Sequence, residues 1–104
     1  MEKFTMYVGL NDKDSKVQEI PTDVAVKIVY NALCKQGIEC ITYDIKNGVY
    51  KHDNGEIVFE NNIIVEMFFV ENIQVVRALN DIKTLLNQES ILLEITEIKD
   101  AKCI

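Results

Sequence analysis

The chain has no tryptophan, one proline, one histidine and only three cysteines among its 104 residues. Cys34, Cys40 and Cys103 are an odd number without closely spaced pairs, which argues against both a disulfide framework and a zinc knuckle. The four glycines stand singly, so no glycine-rich loop is present to hold a phosphate. Neither Ser15 nor Ser90 has the histidine nearby in sequence. The sequence therefore carries no common signature of a metal, nucleotide or hydrolase site.

Positive charge is also scarce, and this bears on the partners of the protein. The net charge is −6, and lysines are interleaved with the acidic residues rather than clustered. Such a chain has no surface that attracts nucleic acid, so we expect no nucleic-acid partner. The most apolar segment, residues 63–70, is interrupted by Glu66 and is too short to span a membrane. The amino terminus lacks a basic segment followed by an apolar run, so we expect no signal peptide and a cytoplasmic location.

Length and composition indicate one domain covering residues 1–104. The apolar fraction of 48% is sufficient to bury a core covering roughly two thirds of the surface of the unfolded chain. Disulfides and metals are therefore not needed for folding.

The first half of the chain predicts a strand followed by a helix. Apolar residues alternate with small or polar ones from Phe4 to Leu10, which is typical of a half-buried strand. A polar loop, residues 11–19, follows. Pro21 and Thr22 then indicate a helix start, and Gly37 stands where a helix cap is needed. Between them, apolar residues recur at helical spacing: Ala25, Ile28, Val29, Ala32 and Leu33.

The second half predicts a hairpin, a helix and a last strand. Residues 38–50 and 56–70 are rich in strand-forming residues and flank the turn sequence Asp53-Asn54-Gly55, with a bulge or second turn possible at Asn61-Asn62. Asn72 is a candidate cap for a helix whose apolar stripe consists of Val75, Val76, Leu79, Ile82 and Leu86. Ile91, Leu93 and Ile95 alternate in the last strand.

This order of elements predicts an α+β protein with the ferredoxin-like βαββαβ fold. Two right-handed strand–helix–strand units joined by a hairpin give a four-stranded antiparallel sheet with both helices on one face. The first and third strands are then central, and the second and fourth lie at the edges.

The sheet face away from the helices is predicted to be half apolar. In the third strand Ile63, Val65, Met67 and Phe69 belong to the helix side, which leaves Ile64, Glu66, Phe68 and Val70 on the other. Tyr7 and Leu92 fall on that same outer face by alternation. A contact surface for a homo-oligomer, a dimer or a trimer, is therefore predicted at Tyr7, Ile64, Phe68 and Leu92. A bulge, or the carboxy-terminal tail folding back, would instead cover these side chains within one chain.

Few side chains are candidates for chemistry. Cys40, His52, Asp53 and Glu56 are possible metal ligands, but their spacing matches no known metal motif. A nucleophile pair of Cys34 or Cys40 with His52 is equally unsupported. We therefore expect no metal site, no cofactor and no catalytic residue.

The remaining candidates for binding a small molecule are Tyr43, Tyr50 and His52, together with the loop 11–19. Loops at the end of a rigid sheet often carry function.

Two resemblances extend over most of the chain. The first is a resemblance to a family of small bacterial proteins of unknown function, several of which are secreted or lipid-anchored. It is carried by Met6-Tyr-Val-Gly-Leu10, the hairpin Gly48–Val58 and Asn87–Leu92. The stretch from Ala32 through Cys40 to Val70 resembles the CutA-type divalent-cation-tolerance proteins and their PII-like relatives. That second resemblance implies the βαββαβ order and trimers. By this resemblance, Cys40 stands where the family has a cysteine and Tyr50 where it has a tyrosine. His52 stands where the family has a further aromatic residue.

The expected function is that of a homo-oligomeric binding or regulatory module without catalysis. Two alternatives remain open. One is a small cofactor-independent enzyme of the dimeric α/β-barrel kind, and the other is an accessory module that uses the outer sheet face to bind a different protein.

Overall fold

The computed structural model describes all 104 residues and contains four strands and two helices in the predicted βαββαβ order. Neither helix is both long enough and apolar enough to cross a membrane. The elements are β1 (Glu2–Gly9), α1 (Thr22–Lys35), β2 (Thr42–Lys51), β3 (Ile57–Met67), α2 (Asn72–Leu85) and β4 (Leu92–Glu97).

The four strands form one antiparallel sheet in the order β2-β3-β1-β4. The prediction that β1 and β3 are central and that β2 and β4 are edges is confirmed. β2 and β3 pair without interruption, with Asn61 opposite Asn47 and Asn62 opposite Lys46. The bulge considered at Asn61-Asn62 is therefore absent, since each asparagine takes a regular place in the ladder.

The first helix begins and ends where the sequence predicted. Gly37 has a positive φ of 79° and donates its N–H to the carbonyl of Cys34, while Ile38 donates to Leu33. These two bonds form a Schellman motif, which a residue in the left-handed region allows, and Ile38 is buried beneath the helix end. The buried side of the helix consists of Ala25, Val29, Ala32 and Leu33.

The second helix differs from expectation at its start and in one position of its stripe. The cap is Glu71 rather than Asn72, and its N–H donates to Gln74 Oε1 at 2.8 Å. Gln74 stands three residues after the cap, where a side chain can reach back to it. Ala78 is fully buried, whereas Val76 lies at the border of the packed face and is exposed.

The core lies between the two helices and one face of the sheet. Ile63, Val65 and Met67 point into it, as predicted. The prediction was wrong for two residues that follow them. Phe69 has a positive φ of 58° and is 62% exposed, while Val70 packs against the core. Alternation fails here because β3 ends at Met67.

The β2–β3 hairpin extends beyond the rest of the sheet. β1 pairs with β3 only over residues 62–67, so residues 57–61 of β3 have β2 as their only paired strand. We call residues 46–61 the hairpin arm. At its tip Gly55, with φ 87°, donates to the carbonyl of His52, and His52 donates to that of Glu56. The arm contributes to the elongated shape of the molecule, 47 × 26 × 21 Å.

Candidate functional site: a cleft at the base of the hairpin arm

A cleft lies beside the hairpin arm, where the loops that follow β1 and α2 approach β3. Its volume is about 520 Å³. We call it the arm cleft. Its lining comes from three places, namely the loop after β1 (Asn11, Asp12, Lys13, Lys16), the segment after α2 (Gln88, Glu89, Ser90) and the arm (Tyr50, His52, Glu56, Ile57, Val58, Phe59, Glu60).

The structure brings two of the three predicted ligand-binding residues together. Tyr50 and His52 both line the arm cleft, and their rings meet edge to face with centroids 5.3 Å apart. Tyr43 lies on the opposite face of β2, since it stands seven positions before Tyr50 and successive side chains of a strand point to alternate faces. It lines a shallow groove against α1, beside Val26 and Tyr30.

Glu60 is a cleft residue that the sequence did not single out. Its Oε2 accepts the backbone N–H of Asn11 at 2.9 Å. Its carboxylate lies over Gly9, where a Cβ would come within 2.7 Å of it, and Gly48 stands opposite Glu60 on β2. The absence of a side chain at Gly9 therefore gives this carboxylate its place at the base of the arm.

Tyr50 and Glu60 influence each other electrostatically. Burial, followed by the nearby Glu60 carboxylate, raises the pKa of the Tyr50 phenol above its usual value. Both effects disfavour the phenolate, so Tyr50 is a hydrogen-bond donor at neutral pH. The arm cleft thus combines a phenol donor, an aromatic face and a carboxylate.

The two loops that line the cleft are bound to each other by side-chain amides. Asn87 Nδ2 donates to Asp12 Oδ1 at 2.8 Å and to Asp14 Oδ2 at 2.9 Å. Gln88 Nε2 donates to the carbonyl of Asn11 at 2.7 Å. The Asn87 amide, with the N–H groups of Ser15 and Asp14, lowers the pKa of Asp12. These bonds fix the walls of the cleft opposite the arm.

The cysteines and the histidine do not form a common site. All three cysteines are free, and no three His, Cys, Asp or Glu side chains come together as a ligand set for a metal ion. Cys40 precedes β2 and His52 follows it. The ten residues of that strand span about 33 Å, so the two side chains lie at opposite ends of the hairpin.

The outer sheet face is more polar than its sequence pattern suggested. Tyr7 lies opposite both Ile64 and Leu92, as alternation requires. Its hydroxyl donates to Glu94 Oε1 at 3.0 Å, and this bond is the main cause of its raised pKa. Leu92 is 66% exposed, whereas Phe68 lies beyond the end of β3 beside Phe69.

One buried hydroxyl beneath these polar side chains, that of Thr5, has no hydrogen-bond partner. An ion pair between Lys3 Nζ and Glu66 Oε2, 2.9 Å long, crosses this face next to Thr5. The outer face therefore carries polar and charged side chains between its apolar ones.

Comparison with known proteins identifies the fold. No family model and no curated protein sequence matches the chain. Solved structures do match. A phage SAM lyase in complex with S-methyl-5'-thioadenosine superposes with a TM-score of 0.71 at 23% identity, covering 92% of this chain and 80% of that one.

CutA proteins are also similar. The periplasmic divalent cation tolerance protein CutA from Archaeoglobus fulgidus has a TM-score of 0.62 at 14% identity, covering 98% of this chain and 88% of that one. A PII-like CutA from Nostoc has a TM-score of 0.60 at 15% identity, with coverages of 94% and 81%. The fold is that of the CutA and PII-like proteins, which confirms the predicted ferredoxin-like class and the structural resemblance.

Proposed function

We propose that this chain is a homo-oligomeric binding protein whose arm cleft binds a sulfonium or thioether derivative of adenosine. The observation that carries the proposal is that the Glu60 carboxylate and the Tyr50 ring line one cleft, where the carboxylate acts electrostatically on the phenol. The phage SAM lyase, which has the same fold, was solved with a thioether of this class. Tyr50 and His52 keep their predicted role as ligand-binding residues, and Glu60 joins them.

The side chains of the cleft complement the chemical groups of S-adenosylmethionine. Its sulfonium and ammonium groups are cationic, and a carboxylate and an aromatic face both attract cations. Glu60 and Tyr50 supply these two features. Lys13 and Lys16 on the facing loop suit the carboxylate of the ligand, and the ring of His52 offers a stacking surface for adenine.

A second candidate function is lyase activity on the same ligand. In this reaction the bond between the sulfonium sulfur and the γ-carbon of the amino-acid chain breaks, and its electron pair returns to sulfur to give neutral S-methyl-5'-thioadenosine. The γ-carbon bonds to the substrate's own carboxylate oxygen, so no co-reactant is needed. Glu60 would hold the ammonium group and Tyr50 would pack against the sulfur. The similarity to the phage SAM lyase and the carboxylate in the cleft favour this candidate.

Calorimetric titration with S-adenosylmethionine and with S-methyl-5'-thioadenosine tests the proposal. We expect saturable binding of at least one of them. Replacing Tyr50 by Ala, or Glu60 by Gln, should weaken the binding of S-adenosylmethionine at least tenfold, because each removes one of the groups that attract the cation. Chromatography of the titrated sample then reports whether S-methyl-5'-thioadenosine is released, which separates a lyase from a binding protein.

Two substitutions outside the cleft serve as controls. Tyr43→Ala removes a tyrosine from the same strand but the opposite face, and Glu2→Gln removes an exposed carboxylate from β1. Both should bind the ligand as the unchanged protein does. Equal binding by the Tyr50→Ala and Tyr43→Ala proteins would rule out the arm cleft as the site. No binding of either nucleoside by the unchanged protein would contradict the proposal itself.

The remaining expectations are proposals of the same kind. The contact surface proposed for self-association lies on the outer face, at Tyr7, Ile64, Phe68 and Leu92. Tyr43 offers a second small-molecule site, for a different ligand, in the groove against α1. Three free thiols suit a reducing, cytoplasmic location, which cell fractionation tests. The accessory-module alternative predicts that the purified protein is monomeric and binds a different protein.

A further inference from the structure

The groove between α1 and the edge strand β2 is separate from the arm cleft and shares no residue with it. Its volume is about 410 Å³, which is within the usual range of small-molecule sites. We call it the Tyr43 groove. It is lined by one flank of the helix (Val26, Lys27, Tyr30, Asn31) and by two residues at the start of β2 (Ile41, Tyr43).

The apolar part of the Tyr43 groove favours a flat aromatic ligand. Val26 and Ile41 are half-buried and pack against the core. Tyr30 stands one turn after Val26 on the same side of α1, and Tyr43 supplies a second ring from β2. Aromatic side chains bury a large area and pack on flat rings with a preferred geometry. Two rings beside an apolar surface therefore suit a ligand that is itself a flat ring.

One wall of the groove is held in place in the free protein. The Tyr30 hydroxyl donates to the carbonyl of Glu39 at 2.8 Å, in the segment that connects α1 to β2. The ring nevertheless remains 39% exposed, so its surface is accessible to a ligand. A wall that is already ordered loses less conformational entropy when a ligand binds.

The remaining polar groups of the groove are hydrogen-bond donors without a partner in the chain. Lys27 forms no ion pair within 4 Å, although Asp23 stands one turn before it on α1. No hydrogen bond within the chain engages the Asn31 amide or the Tyr43 hydroxyl. An ammonium group, an amide and a phenol can each donate to a carboxylate.

The charge of the Tyr43 groove is opposite to that of the arm cleft. Lys27 is the one charged side chain that lines the groove, whereas four carboxylates and two lysines line the arm cleft. A single positive charge matches an anion with one carboxylate. We propose that the Tyr43 groove binds a flat aromatic monocarboxylate, with its ring against Tyr30 and Tyr43 and its carboxylate at Lys27. This inference rests on the proposed second small-molecule site at Tyr43 and not on nucleoside binding by the arm cleft.

An NMR titration of the nitrogen-15-labelled full chain with 2-naphthoate tests the ligand class. We expect saturable shifts of the amide signals of residues 26–31 and 41–43, and no competition from S-adenosylmethionine. Two analogues should each bind at least about threefold more weakly, namely 2-naphthamide, which lacks the charge, and cyclohexanecarboxylate, which lacks the aromatic ring. Absence of saturable shifts at these residues, or equal binding of either analogue, would overturn the proposal.

Two substitutions test the residues that carry the proposal. Lys27→Gln and Tyr43→Ala should each weaken the binding of 2-naphthoate at least about threefold, because one removes the charge and the other a ring. Both side chains are exposed, and circular dichroism checks the fold, with Tyr43→Leu replacing Tyr43→Ala if the latter does not fold. Lys46→Gln is the matched control, since Lys46 is an exposed lysine of β2 that lines neither site.

The outcomes separate this inference from the proposed function of the arm cleft. Undiminished binding of 2-naphthoate by the Lys27→Gln or the Tyr43→Ala protein would overturn the inference, and so would an equal loss in the Lys46→Gln protein. A protein that binds 2-naphthoate at the Tyr43 groove but no nucleoside would contradict only the proposed function. A protein that binds S-adenosylmethionine but not 2-naphthoate would contradict only the inference drawn for the groove.

Discussion

At the scale of single residues, Asn87 stabilises the charge of Asp12. The Asp12 carboxylate accepts hydrogen bonds from the Asn87 amide and from two backbone N–H groups, which hold its pKa below the usual value of about 3.9. Its contribution to folding stability is therefore present above that unfolded value and is lost as the pH falls through the lower, folded one. Acid should loosen the loop that lines the arm cleft.

Replacing Asn87 by Gly tests this coupling. Glycine accepts the positive φ of 49° at this position, so the change removes the amide without adding backbone strain. We expect the pKa of Asp12 to rise towards its ordinary value, as measured by following its carboxyl carbon in an NMR titration. Asn31→Ala, at an exposed helix position, should leave that pKa unchanged. The same Asp12 pKa in the Asn87→Gly protein would mean that backbone donors alone cause the shift.

Glu60 illustrates which residues the sequence could not reveal. Nothing near it in sequence distinguishes it from other exposed carboxylates. Its place depends on Gly9, which is distant in sequence and becomes its neighbour only in the folded sheet. Tyr50 and His52, by contrast, were singled out because they lie at the end of the predicted sheet, where function is often carried. Local sequence signals thus identified the cleft residues Tyr50 and His52. The position of Glu60 depends on strand register, which those signals do not reveal.

At the scale of elements, the end of a helix or the turn of a hairpin was predictable where a single residue or turn sequence determines it. The glycine at position 37 closes the first helix, and the Asp53-Asn54-Gly55 turn closes the hairpin, because each requires a conformation that few residues adopt. The end of β3 was not predictable. Alternation continues through Phe69 and Val70 in the sequence, but the chain leaves the sheet at Met67 to enter the second helix.

Gly37→Ala should destabilise the protein through the helix cap. An L residue in the left-handed region costs about 1–2 kcal/mol, and the added Cβ would also approach Gln74 Nε2 at 3.3 Å. Gly37→Asn should cost less, because asparagine tolerates this conformation. Urea denaturation measures both, with Lys35→Ala as a control that changes stability by less than about 0.5 kcal/mol. A loss for Gly37→Ala no larger than that of the control would contradict this account of the cap.

At the scale of the whole molecule, shape connects the fold to the proposed function. The ferredoxin-like core is complete on its helix side, yet the hairpin extends beyond that core and carries both the ligand candidates and an apolar face. The exposure of the apolar side chains on the arm could not be identified from sequence, since period-two alternation looks the same whether a helix covers a strand or not.

Coupling between assembly and folding predicts that thermal stability depends on protein concentration. Because association stabilises the folded chain by mass action, each tenfold increase in concentration should raise the Tm by roughly 2–5 °C for a dimer of this size. Scanning calorimetry at several concentrations measures the slope. Because a monomer melts at a temperature independent of its concentration, a flat Tm for the unchanged protein would mean that it does not self-associate.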